Sequence, residues 1–130
     1  MTYFTAKNQY ATDAASTASP QRLLVMLYDR LALDLERGEL AIHRGDPSGA
    51  HDALVHAQDI VLELRVTLDI EIWPAGKQLA MVYDYLLELL VDANMRKDSG
   101  PVATCRDLVA PIHDAWHQAA GLGALGVHAA

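Results

Sequence analysis

Apolar residues recur along this chain with alternating spacings of four and three, the period of one face of an α-helix, in four separate segments. Alternating runs of β-branched residues, which are typical of strands, do not occur. The four apolar stripes are Leu24, Tyr28, Leu31, Leu35, Gly38 and Ile42; Ala50, Leu54, Ala57, Val61, Leu64 and Leu68; Leu79, Tyr83, Leu86, Leu90 and Ala93; and Val102, Cys105, Val109, Ile112, Trp116 and Ala119. The pattern predicts four helices, at about 20–44, 47–68, 75–97 and 101–119.

Helix start signals between these segments predict how the helices are joined. Ser19-Pro20 and Asp46-Pro47 each combine a side-chain oxygen that accepts an unpaired amide with a proline suited to the first helical position. Short connections make consecutive helices run antiparallel. We therefore predict an all-α, antiparallel up-down-up-down four-helix bundle over residues 19–120, with a flexible N-terminal arm at 1–18 and a disordered Gly/Ala-rich tail at 121–130.

Pro111 lies inside the fourth apolar stripe. A proline inside a helix removes one amide donor, and its ring crowds the carbonyl one turn earlier. The sequence therefore predicts a kink near residues 107–111, and it leaves open whether the helix bends there or splits into two.

The predicted helices carry more apolar surface than the interior of a bundle needs. On the first helix, Met26, Leu33 and Leu40 lie about 180° from the core stripe. The second and third helices are widened by further apolar residues: Val55, Ile60, Leu62 and Val66, and Met81, Tyr85, Leu87 and Val91. A crowded core with scattered surface apolar residues would explain them one by one. As a set they favour a partner-binding surface, because large apolar patches usually mark such sites and grooves between helices receive amphipathic segments.

Composition narrows the classes of function. The 130 residues carry ten Lys and Arg against seventeen Asp and Glu, a formal net charge of −7, without a basic cluster to bind nucleic acid. The most apolar stretch, at 79–91, is interrupted by Asp84 and Glu88, so we expect no membrane insertion. The single cysteine, Cys105, forms no intramolecular disulfide. It falls on the fourth core stripe, where burial makes a thiol unreactive.

A short motif in the fourth helix offers the one pattern with possible metal chemistry. His113 and His117 stand four residues apart in the string HDAWH, a spacing that places two imidazoles on one metal ion. The third histidine of the related metalloprotease pattern would fall at 123, where Gly123 stands. We interpret the pair as exposed histidines beside a buried Trp116. We predict no catalytic, cofactor or metal site, and an enzyme with a metal at HDAWH ranks third among the functions considered.

Several ordered sequence elements extend over residues 10–119. They are Tyr10, T-A-S-P at 17–20, L-L-V-M-L-Y-D at 23–29, A-Q-D-I-V-L-E-L at 57–64 with T-L-D at 67–69, V-Y-D-Y-L at 82–86, L-x-x-A-N at 90–94, and D-A-W-x-Q-A at 114–119. Each element alone is weak evidence. In this order and spacing, the sequence resembles the bacterial flagellar secretion chaperone family, FliS.

The resemblance implies a non-enzymatic chaperone of the bacterial cytoplasm, without a cofactor. Such a protein binds the disordered C-terminal segment of flagellin, prevents premature polymerisation and delivers the subunit to the flagellar type III export gate. It also implies that Tyr10 anchors an N-terminal arm over the client groove, and we expect a monomer or weak dimer in the free state. The candidate client-binding residues are Tyr10, Met26, Leu33, Leu40, Val55, Leu62, Val66, Met81 and Tyr85. The same apolar stripes fit an adaptor or regulator that binds another protein's amphipathic segment.

Overall fold

Four α-helices make up most of the chain that the computed structural model describes, residues 20–71 and 74–121. They are α1 (Pro20–His43), α2 (Pro47–Thr67), α3 (Gly76–Arg96) and α4 (Ser99–Ala119). No boundary differs by more than two residues from the one expected from the sequence. The predicted arm at 1–18, with Tyr10, and the predicted tail beyond Gly121 lie outside the described residues.

Side-chain caps begin two of the helices, and a left-handed glycine follows the end of another, where the chain reverses. The carboxylate of Asp46 accepts the amide of Gly49 at 2.9 Å at the start of α2, and Asp98 accepts the amide of Gly100 at 2.9 Å at the start of α4. Gly45 has a φ of +69°, a conformation that glycine adopts without a Cβ clash, just after α1 ends. These devices keep the connections from α1 to α2 and from α3 to α4 short.

The helices pack in a ring in which α1 contacts α2 and α4, and α3 contacts α2 and α4. Contacts between α2 and α3 show their relative direction. Arg65, late in α2, bonds Asp84, early in α3, at 3.1 Å, whereas His51 and Asn94 meet at 3.0 Å at the other end of the same pair. This inverted register means that α2 and α3 run antiparallel. The all-α, up-down-up-down four-helix prediction is confirmed for the described residues.

The core occupies the middle of the four predicted stripes, where Leu31, Leu54 and Leu90 are fully buried. Gly38 is buried at the contact with α2, where a Cβ would lie 2.8 Å from Cδ2 of Leu54, so glycine permits this close approach. The ends of the stripes are only partly buried: Leu24, Ile42, Leu68, Leu79, Ile112 and Trp116. Assigning Ala119 to the core was wrong, because it is exposed.

Helix α4 runs without interruption from Ser99 to Ala119 and therefore passes through Pro111. The helix is not split there, and the predicted bend stays a prediction. Pro111 lies on the exposed side of α4. In the described part of the chain, every helix is too short or too polar to cross a membrane.

Candidate protein-binding surface

Most of the apolar residues that we assigned to a partner surface lie on the outside of the bundle. Leu33, Leu40, Leu62 and Tyr85 are 37–47% exposed, and Val66 and Met81 are 80% and 70% exposed. Met26 and Val55 are half-buried. Tyr10 lies outside the described residues. These large apolar side chains are therefore exposed to solvent and are not packed in the core.

Four of these side chains lie at one level of the bundle on neighbouring helices. Leu62 and Val66 are one turn apart on α2, and Met81 and Tyr85 are one turn apart on α3. The Arg65–Asp84 bond shows that the two pairs lie at the same level, because Arg65 falls within the first pair in sequence and Asp84 within the second. We call Leu62, Val66, Met81 and Tyr85 the α2–α3 apolar surface.

A groove of about 520 Å³ runs between the start of α3 and the end of α4. Its floor is formed by four half-buried apolar side chains: Leu79, Val82, Ile112 and Trp116. Its rim consists of Ala75, Gln78, Pro111, Ala115 and Ala119. Because three rim residues are alanines, the side chains there are too small to close the groove. This α3–α4 groove therefore offers a long, almost entirely apolar trough.

A second, smaller cavity of about 280 Å³ lies next to the α3–α4 groove at the end of the bundle. It lies where α1 and α3 begin and α2 and α4 end, and it shares Leu79 and Trp116 with the groove. Its other lining residues are Leu24, Leu64, Thr67, Leu68, Asp69 and Tyr83. The two depressions adjoin each other and make up a mostly apolar region at this end of the molecule.

Sequence reasoning missed the α3–α4 groove because Leu79, Ile112 and Trp116 follow the core periodicity. Near the end of a bundle, a residue on the core stripe has fewer neighbours to cover it, so the same periodicity produces partly exposed side chains. The alanines at 115 and 119 beside Trp116 were the available signal. Met95, 80% exposed and one turn from the exposed Val91, was also missed.

Two buried tyrosines form a polar contact beneath this end of the bundle. The hydroxyl groups of Tyr28 on α1 and Tyr83 on α3 lie 2.5 Å apart, and both side chains are almost fully buried. Burial raises the pKa of both phenols, although for Tyr28 the hydrogen bonds with Tyr83 and Trp116 act in the opposite direction. The pair holds α1 against α3 across the bundle by a polar contact within an apolar core.

The two histidines of HDAWH lie against α1. His113 and His117 are 22% and 31% exposed, so the expectation that both are exposed was wrong, and Trp116 is half-buried instead of buried. Each Nε2 atom lies near Oδ1 of Asp29, at 2.5 Å and 2.8 Å. Partial burial would raise the pKa of Asp29, but the hydrogen bonds and charges of the two histidines outweigh it and lower that pKa.

A charged side chain is buried between α1 and α2. Asp34 is 2% exposed, and its carboxylate bonds Nδ1 of His56 and, at 3.3 Å, Nε of Arg30. A buried carboxylate is tolerated only when such partners replace water. Asp34 therefore fixes the α1–α2 contact, away from the apolar surfaces.

The thiol of Cys105 is buried in the core, as its place on the fourth stripe predicts. Burial raises its pKa to about 12. Because the thiolate is the nucleophile, this side chain is unreactive at neutral pH, and its role is packing.

Comparison with known proteins adds a decisive observation to this geometry. The profile of the family described as "Flagellar protein FliS" matches residues 3–122. The chain belongs to the FliS family. Relatives confirm this over most of their length: the flagellar secretion chaperone FliS of Bacillus subtilis (strain 168) is 34% identical over 110 residues, which is 85% of this chain and 82% of that protein.

Two enterobacterial FliS proteins show the same relationship. The flagellar secretion chaperone FliS of Salmonella typhimurium (strain LT2) is 33% identical over 109 residues, and that of Escherichia coli (strain K12) is 34% identical over 107 residues. Each match covers 81% of this chain and 79% of the relative. These FliS relatives are named as chaperones and not as enzymes, so the family is one of flagellar export chaperones.

Proposed function

We propose that this FliS chain is a cytoplasmic chaperone that binds the disordered C-terminal segment of flagellin on its exposed apolar surfaces. Binding keeps the segment from polymerising, and the complex is then delivered to the flagellar export gate. The observation that carries the proposal is the apolar surface left outside the core: the α2–α3 apolar surface and the α3–α4 groove. The membership in a chaperone family supports the same function.

The shape of this surface suits a client that folds on binding. Ordering a disordered segment costs conformational entropy, so the chaperone has to bury apolar area over a long contact. An amphipathic helix presents apolar residues at spacings of three and four, and the helix pairs Leu62–Val66 and Met81–Tyr85 repeat at the same spacing. Long contact on several helices therefore fits better than one deep pocket.

The exposed methionines add adaptability. Met81 and Met95 are 70% and 80% exposed, and methionine side chains are flexible and polarizable. Flexible thioethers repack around apolar client residues of different shapes.

The test of the α2–α3 apolar surface is a binding measurement with the C-terminal segment of the flagellin from the same organism. We expect Val66→Asp and Met81→Asp each to weaken binding about tenfold or more, since tenfold corresponds to about 1.4 kcal/mol and a charge on an apolar contact costs at least that much. Folding should be unchanged, because both side chains are largely exposed. Calorimetric titration measures the affinity, and circular dichroism checks the fold.

Two further variants separate the two surfaces. Ala115→Arg places a long charged side chain on the exposed rim of the α3–α4 groove. Ser48→Asp adds a charge at an exposed position in the first turn of α2, outside both surfaces, and serves as the control. Loss of affinity with Ala115→Arg alone would assign the client to the groove. Wild-type affinity for all three surface variants would refute both surfaces, and no binding by the wild-type chain would favour an adaptor for another protein.

We further propose that the segment at 1–18, with Tyr10 as its anchor, covers apolar surface until the client arrives. The described chain begins at Pro20, beside the apolar region that Leu24 lines. Removing residues 1–18 should then raise the fluorescence of a dye that binds exposed apolar surface and promote self-association. Unchanged dye binding together with unchanged oligomer size would contradict this role of the arm.

A further inference from the structure

Three metal-ligating side chains from two helices converge on one point between α1 and α4. His113 and His117 come from successive turns of α4, and Asp29 comes from α1. Their Nε2 atoms lie 3.1 Å from each other, and they lie 2.5 Å and 2.8 Å from Oδ1 of Asp29. The sequence contains the two histidines at a metal-binding spacing, but only the fold adds the carboxylate, which is 84 positions away from His113.

The three donor atoms match the ligands that zinc takes in proteins. Zn²⁺ binds imidazole nitrogen and carboxylate oxygen at about 2.0–2.2 Å, and three protein ligands with an open fourth position are a common arrangement. Such bonds place neighbouring ligand atoms roughly 3.3 Å apart in a tetrahedral site. The two nitrogens, 3.1 Å apart, are close to that spacing, whereas Oδ1 of Asp29, at 2.5 Å and 2.8 Å from them, has to move outward by roughly 0.5–0.8 Å to admit an ion. Asp29 is 51% exposed and is therefore free to do so.

The surroundings hold the histidines in place and leave one side open. The ring of His113 stacks on the buried ring of Tyr28, with centroids 6.3 Å apart and planes 18° apart. The rings of His113 and His117 lie 4.7 Å apart. A shallow open depression lined by Ala110, Pro111, His113, Asp114 and His117 adjoins the site. It has room for a water molecule or an external ligand at the remaining coordination position.

We propose that Asp29, His113 and His117 form a binding site for one divalent zinc ion that links α1 to α4. The bound ion joins two helices that are distant in sequence, so it stabilises the folded bundle by an amount that grows with the logarithm of the free zinc concentration above the Kd. The site uses a different face from the α2–α3 apolar surface. Zinc binding and flagellin binding are therefore measured separately, and failure of one leaves the other standing.

The experiment uses the full chain without a purification tag, stripped of metal by a chelator and dialysed. Zinc chloride is titrated in a calorimeter, and the thermal unfolding midpoint is recorded with and without zinc. We expect one zinc ion per chain and a higher unfolding midpoint with zinc. His117→Gln and Asp29→Asn should each weaken zinc binding at least tenfold and reduce the rise in the midpoint at the same zinc concentration. His43→Gln, an exposed histidine at the end of α1, is the matched control and should bind like the wild type.

Two readouts keep the outcome decisive. Circular dichroism of each metal-free variant shows whether it folds, and if His117→Gln fails to fold, Asp29→Asn tests the site by itself. Cobalt(II) in place of zinc should give the intense visible absorption of a four-coordinate ion, and Asp29→Asn should remove it. Failure of the wild-type chain to bind zinc in a one-to-one ratio would overturn the proposal, as would unchanged binding in both ligand variants.

Discussion

The buried contact between Tyr28 and Tyr83 makes a sharp prediction about stability. Both side chains are 1–2% exposed, and their hydroxyl groups are 2.5 Å apart. Tyr28→Phe leaves the hydroxyl of Tyr83 in an apolar core without the partner it has in the native protein. Leaving a buried hydroxyl unsatisfied costs about 1–3 kcal/mol. We expect Tyr28→Phe to lower the free energy of unfolding by that amount.

The reciprocal substitution should cost less. In Tyr83→Phe, the hydroxyl of Tyr28 still has the indole of Trp116 as a polar neighbour, and that neighbour lowers the Tyr28 pKa. We therefore expect a loss near the lower end of the range, about 1 kcal/mol. The double variant removes both hydroxyl groups together and retains the ring packing. It should lose about 1–2 kcal/mol less than the sum of the two single losses.

Urea unfolding followed by far-ultraviolet circular dichroism measures all four proteins, and the double-mutant cycle gives the coupling. Tyr85→Phe is the matched control, because this tyrosine is 47% exposed and its hydroxyl should contribute little. Additive losses, or single variants as stable as the wild type, would refute the reasoning that the two hydroxyl groups satisfy each other.

The remaining predictions concern the core thiol and a helix cap. Because burial raises the pKa of Cys105 to about 12, a maleimide should react with the native protein far more slowly than with the urea-unfolded chain up to pH 9; equal rates would contradict its burial. The folded thiol keeps its proton to higher pH than the unfolded one. The protonated thiol therefore contributes fully to the free energy of unfolding below about pH 9, and this contribution is lost as the pH rises toward 12. Asp46→Ala removes the cap of α2 and should lower the free energy of unfolding by about 0.5–2 kcal/mol in urea titrations, whereas the exposed control Ser48→Ala should leave it nearly unchanged.

Local sequence accounts for the elements of this fold. The spacing of apolar residues defines four helices, and the Asp-Pro and Gly signals at 45–47 end one helix and begin the next. These features depend on hydrogen bonds within about four residues, so they are visible in the sequence itself. The outward-facing apolar residues followed from the same period, because a residue about 180° from the core stripe faces solvent.

Tertiary structure decided the contacts between residues far apart in the chain. The meeting of Asp29 with His113 and His117, the hydroxyl pair of Tyr28 and Tyr83, and the α3–α4 groove all depend on which helix faces pack together and in what register. Helical periodicity gives the face of each residue but not its neighbour across an interface, nor where the bundle ends and leaves Trp116 partly uncovered. The sequence by itself therefore determined the helices and their apolar faces, whereas packing determined the groove and the cluster of ligating side chains.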